Sequence, residues 1–452
     1  MSSDPKASSP LAAIVLAAGH GTRMRSAKPK VLHPIGHLPM LGHSLKAART
    51  LGAEKVAVVV GAGGDQVRAA LEGLDPAAEV AVQDPPLGTG DAVRAALPLL
   101  DGFEGQVLVL YGDTPLIKAE TLGQLLGEIA RGAGIAVLGF EAEEPGPYGR
   151  LVTDGAGRLT KIVEAKDASP DELAIRLCNS GVMAMTTEVL RRYIPQLTND
   201  NAKGEYYLTD LVGLARQDDN LCAVVQGEES EMLGVNNRAE LAVAEAVFQD
   251  RRRTQMMLSG VTLLDPHTVY FAHDTEIGED SVIGQNVVFG PGVRLARSVT
   301  VKPFSHLEGA VMHASSSAGP FARLRQGTEL ASGAAIGNFV ETKKAVLGEG
   351  VKAGHLTYLG DVTIGAKTNI GAGTITCNYD GFAKHQTQIG KGAFIGSSTM
   401  LVAPVSIGEG AITGSGSVIT KNVEPDALAV ARGRQMEKSG WAAAFRKKNG
   451  RH

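Results

Sequence analysis

Residues 276–307 read EIGEDSVIGQNVVFGPGVRLARSVTVKPFSHL, and within them a large apolar residue returns every six positions: Ile277, Ile283, Phe289, Leu295, Val301 and Leu307. The position after it is small at Gly278, Gly284, Gly290 and Ala296. Four after it stands a small or β-branched residue, as at Ser281, Val287, Val293, Val299, Ser305 and Val311. The same frame returns at Ile389, Ile395, Leu401, Ile407, Thr413 and Ile419, and Leu330, Ile336, Leu347, Ala353, Leu359, Ile364 and Ile370 keep it with slips in between. A period of six fits neither an amphipathic helix nor an alternating strand. It predicts a parallel β-solenoid with one short strand and one tight turn per repeat. The apolar side chain points into a narrow prism, and glycine serves turn dihedrals that a Cβ would oppose.

Composition agrees. Glycine supplies 56 of 452 residues, above the roughly 7% of ordinary chains, and aromatics only 4%. A formal charge of -4 argues against nucleic acid or an anionic membrane as partner, and three cysteines rule out a disulfide scaffold. The opening MSSDPKASSP lacks an apolar stretch, so no secretory signal is expected, and no run is long enough to cross a bilayer. A cytoplasmic location follows by default.

Upstream the pattern changes. Apolar runs at 13–16, 56–60, 80–83 and 107–111 read as strands, and helical patterns at 91–100 and 119–131 lie among them. This alternation predicts an α/β domain with a parallel sheet covered on both faces, and ligands belong at the carboxyl ends of its strands. Residues 237–258 have strong helix formers and no Gly or Pro, so a single helix connects the halves. The expected boundaries are 1–236, a linker helix over 237–260, and 261–452.

After the first strand comes Leu16-Ala17-Ala18-Gly19-His20-Gly21-Thr22-Arg23-Met24, then Lys28-Pro29-Lys30. It is not a P-loop, and Met24 stands where a dinucleotide fingerprint needs its third glycine. What remains is a backbone able to approach phosphate, with Arg23 and Lys30 as nearby cations. The string resembles the signature of the sugar-nucleotide pyrophosphorylases, which have a Rossmann-like nucleotidyltransferase fold. Further pieces match that family in order. Gln83 with Gly88 and Thr89 resembles the uracil-reading segment. Tyr111-Gly112-Asp113 resembles the family's metal-binding aspartate, and Gly234-Val235-Asn236-Asn237 the segment whose first asparagine completes its Mg2+ site. Tyr148-Gly149-Arg150, Glu164, Asn179 and Gly181 resemble the sugar-reading set. Taken singly, Asp113 also fits a helix cap, Gln83 a strand end, Asn179 and Asn236 turns, and Glu164 a surface charge.

The six-residue frame resembles the hexapeptide-repeat transferases, whose fold is a left-handed parallel β-helix and whose usual assembly is a homotrimer. It breaks after Ile375 and resumes at Ile389, which predicts a loop thrown out of the coil over about 377–388. Around it lie GNFVETKK (337–344), KAGHLTY (352–358) and NIGAGT (369–374). With the upstream motifs, these resemble over almost the whole chain the bifunctional family that joins an N-acetylglucosamine-1-phosphate uridyltransferase to a glucosamine-1-phosphate acetyltransferase.

The resemblance implies His355 as general base, with Glu341 orienting it. Arg325, Lys343, Tyr358 and Asn369 would bind the sugar phosphate and its hydroxyls. Ala372, Asn378, Tyr379, Ser397, Ser415 and Arg432 would contact acetyl-CoA, with Asn378, Tyr379 and Lys384 on a loop reaching a neighbouring active site. The family often has alanine where Ser415 stands. Leu16 to Gly19, Gln83, Gly88, Thr89, Tyr111, Gly112, Gly149, Glu164 and Asn179 would hold UTP and N-acetylglucosamine 1-phosphate. Arg23 and Lys30 would serve catalysis, and Asp113 and Asn236 the metal. The implied product is the activated sugar of bacterial cell-wall and envelope glycans. The competing reading is a pyrophosphorylase whose β-helix only assembles or regulates; His355, Lys343 and the ejected loop argue against it, because a scaffold needs none of them.

Overall fold

The computed structural model describes residues 9–19 and 21–450. The first eight residues of the polar start read above, His20, and the last two residues of the chain lie outside the described residues. The chain divides into two compact units, one up to Gln249 and one from Asp250.

In the first unit, among the described residues, nine strands form one sheet. They are β1 (Leu11–Leu16), β2 (Lys55–Gly61), β3 (Glu79–Gln83), β4 (Gln106–Tyr111), β5 (Ile135–Glu141), β6 (Arg150–Thr153), β7 (Leu159–Val163), β8 (Leu177–Thr186) and β9 (Cys222–Gln226). The order across the sheet is β9-β5-β8-β4-β1-β2-β3, with β6 and β7 as a hairpin off β8. Alternate residues of β1 feed opposite cores. Ala13 and Val15 pack under the helix Met40–Thr50, while Ala12, Ile14 and Leu16 pack under the helix Thr89–Ala96. A strand covered on both faces must be apolar throughout, which is why it reads as a continuous run.

The expected parallel sheet is corrected around β8, which runs antiparallel to β4 and β5 and carries the antiparallel β6–β7 hairpin. The chain leaving β5 returns through the β6–β7 hairpin, and no long helix carries it back over the sheet, so the next strand enters in the opposite direction.

In the second unit, among the described residues, 22 strands form one ladder; most are two or three residues long and pair in parallel with the third strand onward, so three make a coil, while the two 13-residue strands Ala335–Leu347 and Lys352–Ile364 lie directly side by side. The apolar frame becomes three vertical stacks. One runs Ile277, Leu295, Met312, Leu330, Leu347, Ile364, Ile389, Ile407. A second contains Ile283, Val301, Ala318, Ile336, Ala353, Ile370 and Ile395, and a third Phe289, Leu307 and Leu324. Almost all of these side chains are fully buried. The slips in the six-residue frame are coils of 17 rather than 18 residues, as from Leu295 to Met312.

Turn glycines such as Gly292, Gly333, Gly373 and Gly410 have the positive φ expected of them, but those directly after the apolar residue have another reason. Gly278, Gly284, Gly371 and Gly396 do not have positive φ. A Cβ at Gly371 would stand 2.5 Å from the Ser397 amide nitrogen, and one at Gly396 2.5 Å from that of Ser415. They are glycine because the next coil passes too close for a side chain. Several left-handed turn positions are instead held by Asp280, Asn286, Ser298 and Phe304.

The helix Arg238–Leu258 is continuous. Asn237 caps it, its Oδ1 accepting from the amides of Ala239 and Glu240 at 2.9 Å each.

Two candidate active sites

The first site opens where β1 ends. Ala17, Ala18 and Gly19 line a cleft of about 300 Å³ together with Leu16, Lys30, Gln83, Gly88, Thr89, Tyr111 and Asp113, so ten of the sequence-read residues share one cavity. Gly21 turns the loop with φ 58, and a Cβ there would meet that of Lys30 at 2.6 Å; glycine is what lets Lys30 come in. Lys30 is 9% exposed. Its ammonium donates to the Asp113 carboxylate and, at 3.1 Å, to Asn236 Oδ1. Arg23 Nη2 donates to the same Asn236 oxygen at 3.1 Å. Residues 23, 30, 113 and 236 thus converge. The Val235 amide donates to the Asp113 carbonyl at 2.9 Å, and the Asn236 amide to Glu240 Oε2 at 2.7 Å, so the two segments are tied together. Glu240 was not read from the sequence. Its place three residues after the Asn237 cap, the capping-box position, was the available signal.

At the other end of the cleft, Gln83 is buried. Its Nε2 donates to Gly88 O at 2.8 Å and to Asp91 Oδ2 at 3.0 Å, which leaves Oε1 as the group it can offer. Thr89 Oγ1 accepts from the Leu208 amide and lies near the Tyr111 hydroxyl. Burial, with Asp113 and Glu164 nearby, holds that phenol well above its usual range. Gly181, at φ 90, passes over the Tyr111 ring where a Cβ would clash at 2.7 Å. Asn179 joins the same patch: its Oδ1 accepts from the Gly181 amide at 2.9 Å and its own amide donates to Gly149 O at 2.8 Å. Burial raises the Glu164 carboxyl above the ordinary carboxylate range. Gly112 contributes backbone only, its amide continuing the ladder to Leu16 O at 2.9 Å. Arg150, read with the sugar-reading set, is buried and has its guanidinium occupied by backbone, on the carbonyls of Tyr148 and Gly146.

The second site lies on the solenoid. His355 Nδ1 is 2.7 Å from Asn338 Oδ1. Glu341, expected to orient the histidine, instead pairs with Arg325 Nη1 at 2.9 Å. The register explains it: Asn338 lies directly opposite His355 on the adjacent coil, whereas Glu341 lies opposite Tyr358. Counting back one 17-residue coil from His355 would have found Asn338.

Beside this pair, Lys343 lies against Lys384 and near Arg325 and Lys344. These cations, Lys384 foremost, hold the Lys343 ammonium below its usual range. Tyr358 OH and Asn378 Nδ2 both crowd the face of Gly360. Asn369 stands between Lys352 and Phe394 on the neighbouring coils. The strands stop at Cys377 and resume at Thr387, so the loop leaves the coil where expected. Asn378 turns inward on Asp361 Oδ2 at 2.5 Å, while Tyr379 is exposed.

The remaining residues form a column. Ser398 N donates to Ala372 O at 2.7 Å, Gly416 N to Ser397 O at 2.8 Å, and Arg432 Nη1 to Ser415 O at 2.7 Å. The strand register carries the same column back through His355 to Asn338.

Comparison with known proteins agrees with both halves. The model of the MobA-like NTP transferase domain matches residues 13–200, and that of the bacterial transferase hexapeptide (six repeats) matches residues 386–421. A relative named Bifunctional protein GlmU from Paracoccus denitrificans is 56% identical over 98% of this chain and 99% of its own length. Relatives of the same name from Paramagnetospirillum magneticum (54%, covering 97% of each chain) and Sphingopyxis alaskensis (53%, covering 96% of each) are similar over nearly full length. The first unit is therefore a Rossmann-like nucleotidyltransferase, the solenoid is a left-handed β-helix of hexapeptide repeats, and the chain belongs to the bifunctional GlmU family.

Proposed function

We propose that the two groups of residues divide the family's two reactions between them, each unit holding one. The chain is a bifunctional transferase. It acetylates glucosamine 1-phosphate with acetyl-CoA, then joins UMP from UTP to N-acetylglucosamine 1-phosphate and releases pyrophosphate, forming the activated sugar of bacterial cell-wall and envelope synthesis.

The observation that carries the acetyl-transfer half is His355 against Asn338 at the head of the Ala372–Ser397–Ser415 column. With a carbonyl oxygen facing Nδ1, the ring proton sits there and Nε2 keeps its lone pair. As the sugar amine attacks the thioester carbonyl, Nε2 takes the amine proton. When the C–S bond breaks, the same proton passes to the departing sulfur. Coils advance about 4.8 Å each, so an extended thioester donor laid along the column would bring its reactive end to His355. Lys343 and Arg325 face the sugar phosphate, and Tyr358 and Asn369 its ring hydroxyls.

In the first unit, the sugar phosphate attacks the α-phosphorus of UTP in line and the bond to the β-phosphate breaks. Arg23 and Lys30 take up charge that accumulates on the leaving pyrophosphate. Gln83 Oε1 matches the imide N–H of uracil, while Gly149, Glu164 and Asn179 receive the sugar. Asp113 and Asn236 fit a divalent cation: two hard oxygens already converge on one positive charge, the Lys30 ammonium. Mg2+ held there by Asp113 and Asn236 would supply positive charge against that developing on the phosphates.

We infer a homotrimer, from the kinship of the solenoid and the loop thrown out of it. Sedimentation equilibrium is expected to return a trimer; a monomer that keeps acetyltransferase activity would contradict it. No helix among the described residues is long and apolar enough to cross a membrane. All three cysteines are free thiols, which supports the reducing cytoplasm as its setting.

A further inference from the structure

The ejected loop, residues 378–386, is held from within. Asp380 Oδ1 accepts from the amides of Phe382 and Ala383 at 2.8 and 2.7 Å, and its Oδ2 lies 2.7 Å from His385 Nε2. The His385 amide donates to Asn378 O at 2.8 Å, and the Tyr379 hydroxyl to Gly381 O at 2.5 Å. The loop is anchored at its root by the Asn378–Asp361 bond, made from an Asp361 backbone in the left-handed region at φ 47. These donors hold the Asp380 carboxyl well below the usual carboxylate range.

Lys384 sits in sequence between Ala383 and His385, two of the three residues Asp380 grips, and its ammonium lies beside that of Lys343 near Arg325. Like charges in contact repel, and an unrestrained exposed loop would release a lysine side chain into water. We propose that Asp380 is a positioning residue for acetyl transfer: it locks the loop so that Lys384 is presented, before substrate arrives, as the third cation of the sugar-phosphate site. Preorganisation of this kind lowers the cost of binding without touching the reacting atoms. The inference rests on the assignment of Lys343 and Arg325 to the phosphate.

The test is steady-state thiol release with acetyl-CoA as glucosamine 1-phosphate is varied. Asp380→Ala and Lys384→Met are each expected to raise KM for the sugar phosphate about tenfold, the scale of one charge-assisted contact, with kcat little changed. The double variant should be no worse than Lys384→Met alone, and Asp380→Asn should recover most of the loss. Uridylyl transfer by the same variants should be unchanged. Additive effects, or an unchanged KM in Asp380→Ala while Lys343→Met raises it, would overturn the clamp. An unchanged KM in Lys343→Met would overturn the phosphate assignment itself. Should Asp380→Ala not fold, His385→Ala opens the same clamp from the other side; a raised KM supports the proposal and an unchanged one refutes it.

Discussion

His355→Ala is expected to slow acetyl transfer by roughly 10²- to 10⁴-fold, the usual worth of a positioned general base. Pyrophosphate release from UTP and N-acetylglucosamine 1-phosphate should continue undiminished. The size of the effect follows from the geometry. The amine must lose a proton as it becomes an amide, and His355, 2.7 Å from Asn338, is the base proposed beside the Ala372–Ser415 column. Asn338→Ala should fall part of the way, through kcat rather than KM, because the imidazole would then be free to rotate or change tautomer. Asn338→Asp, which keeps an acceptor, should lose less. Acetyl transfer surviving in His355→Ala would show that the substrate amine arrives already deprotonated and that the histidine merely lines the wall.

The second large effect is at Asp113. Asp113→Ala should reduce uridylyl transfer by roughly 10²- to 10³-fold, the scale seen when one preorganised charge is removed from a developing phosphate charge. Two losses combine. A divalent cation would keep only Asn236, and the buried Lys30 ammonium would lose its carboxylate partner, retaining the Asn236 amide at 3.1 Å. An uncompensated buried charge is costly, so the thermal midpoint of the variant should be measured beside its rate. Acetyl transfer should be untouched. A near-normal rate of pyrophosphate release would mean that Asp113 only closes the turn after β4.

The apolar frame from Ile277 onward was readable because each rung contributes one inward side chain, and a periodic demand leaves a periodic trace. Lys30 and Asp113 were readable because the turns that carry them have their own local chemistry. Asn338 was not assigned, because its partnership with His355 exists only across coils and appears as a spacing of 17, which a six-residue frame conceals. The role of Gly278 was misread for a related reason: what excludes its Cβ is the Arg297 amide nitrogen of the next coil, 19 residues on. The reversed β8 left no mark either, since a strand buried on both faces reads alike in either direction.

If the two sites are independent, two dead halves must make one working whole. His355→Ala and Asp113→Ala, each supplied alone with glucosamine 1-phosphate, acetyl-CoA, UTP and Mg2+, should give almost no UDP-N-acetylglucosamine. Mixed in equal amounts they should restore it, with N-acetylglucosamine 1-phosphate passing between them through solution. A mixture as inactive as its parts, with both proteins folded, would contradict the assignment of one reaction to each unit.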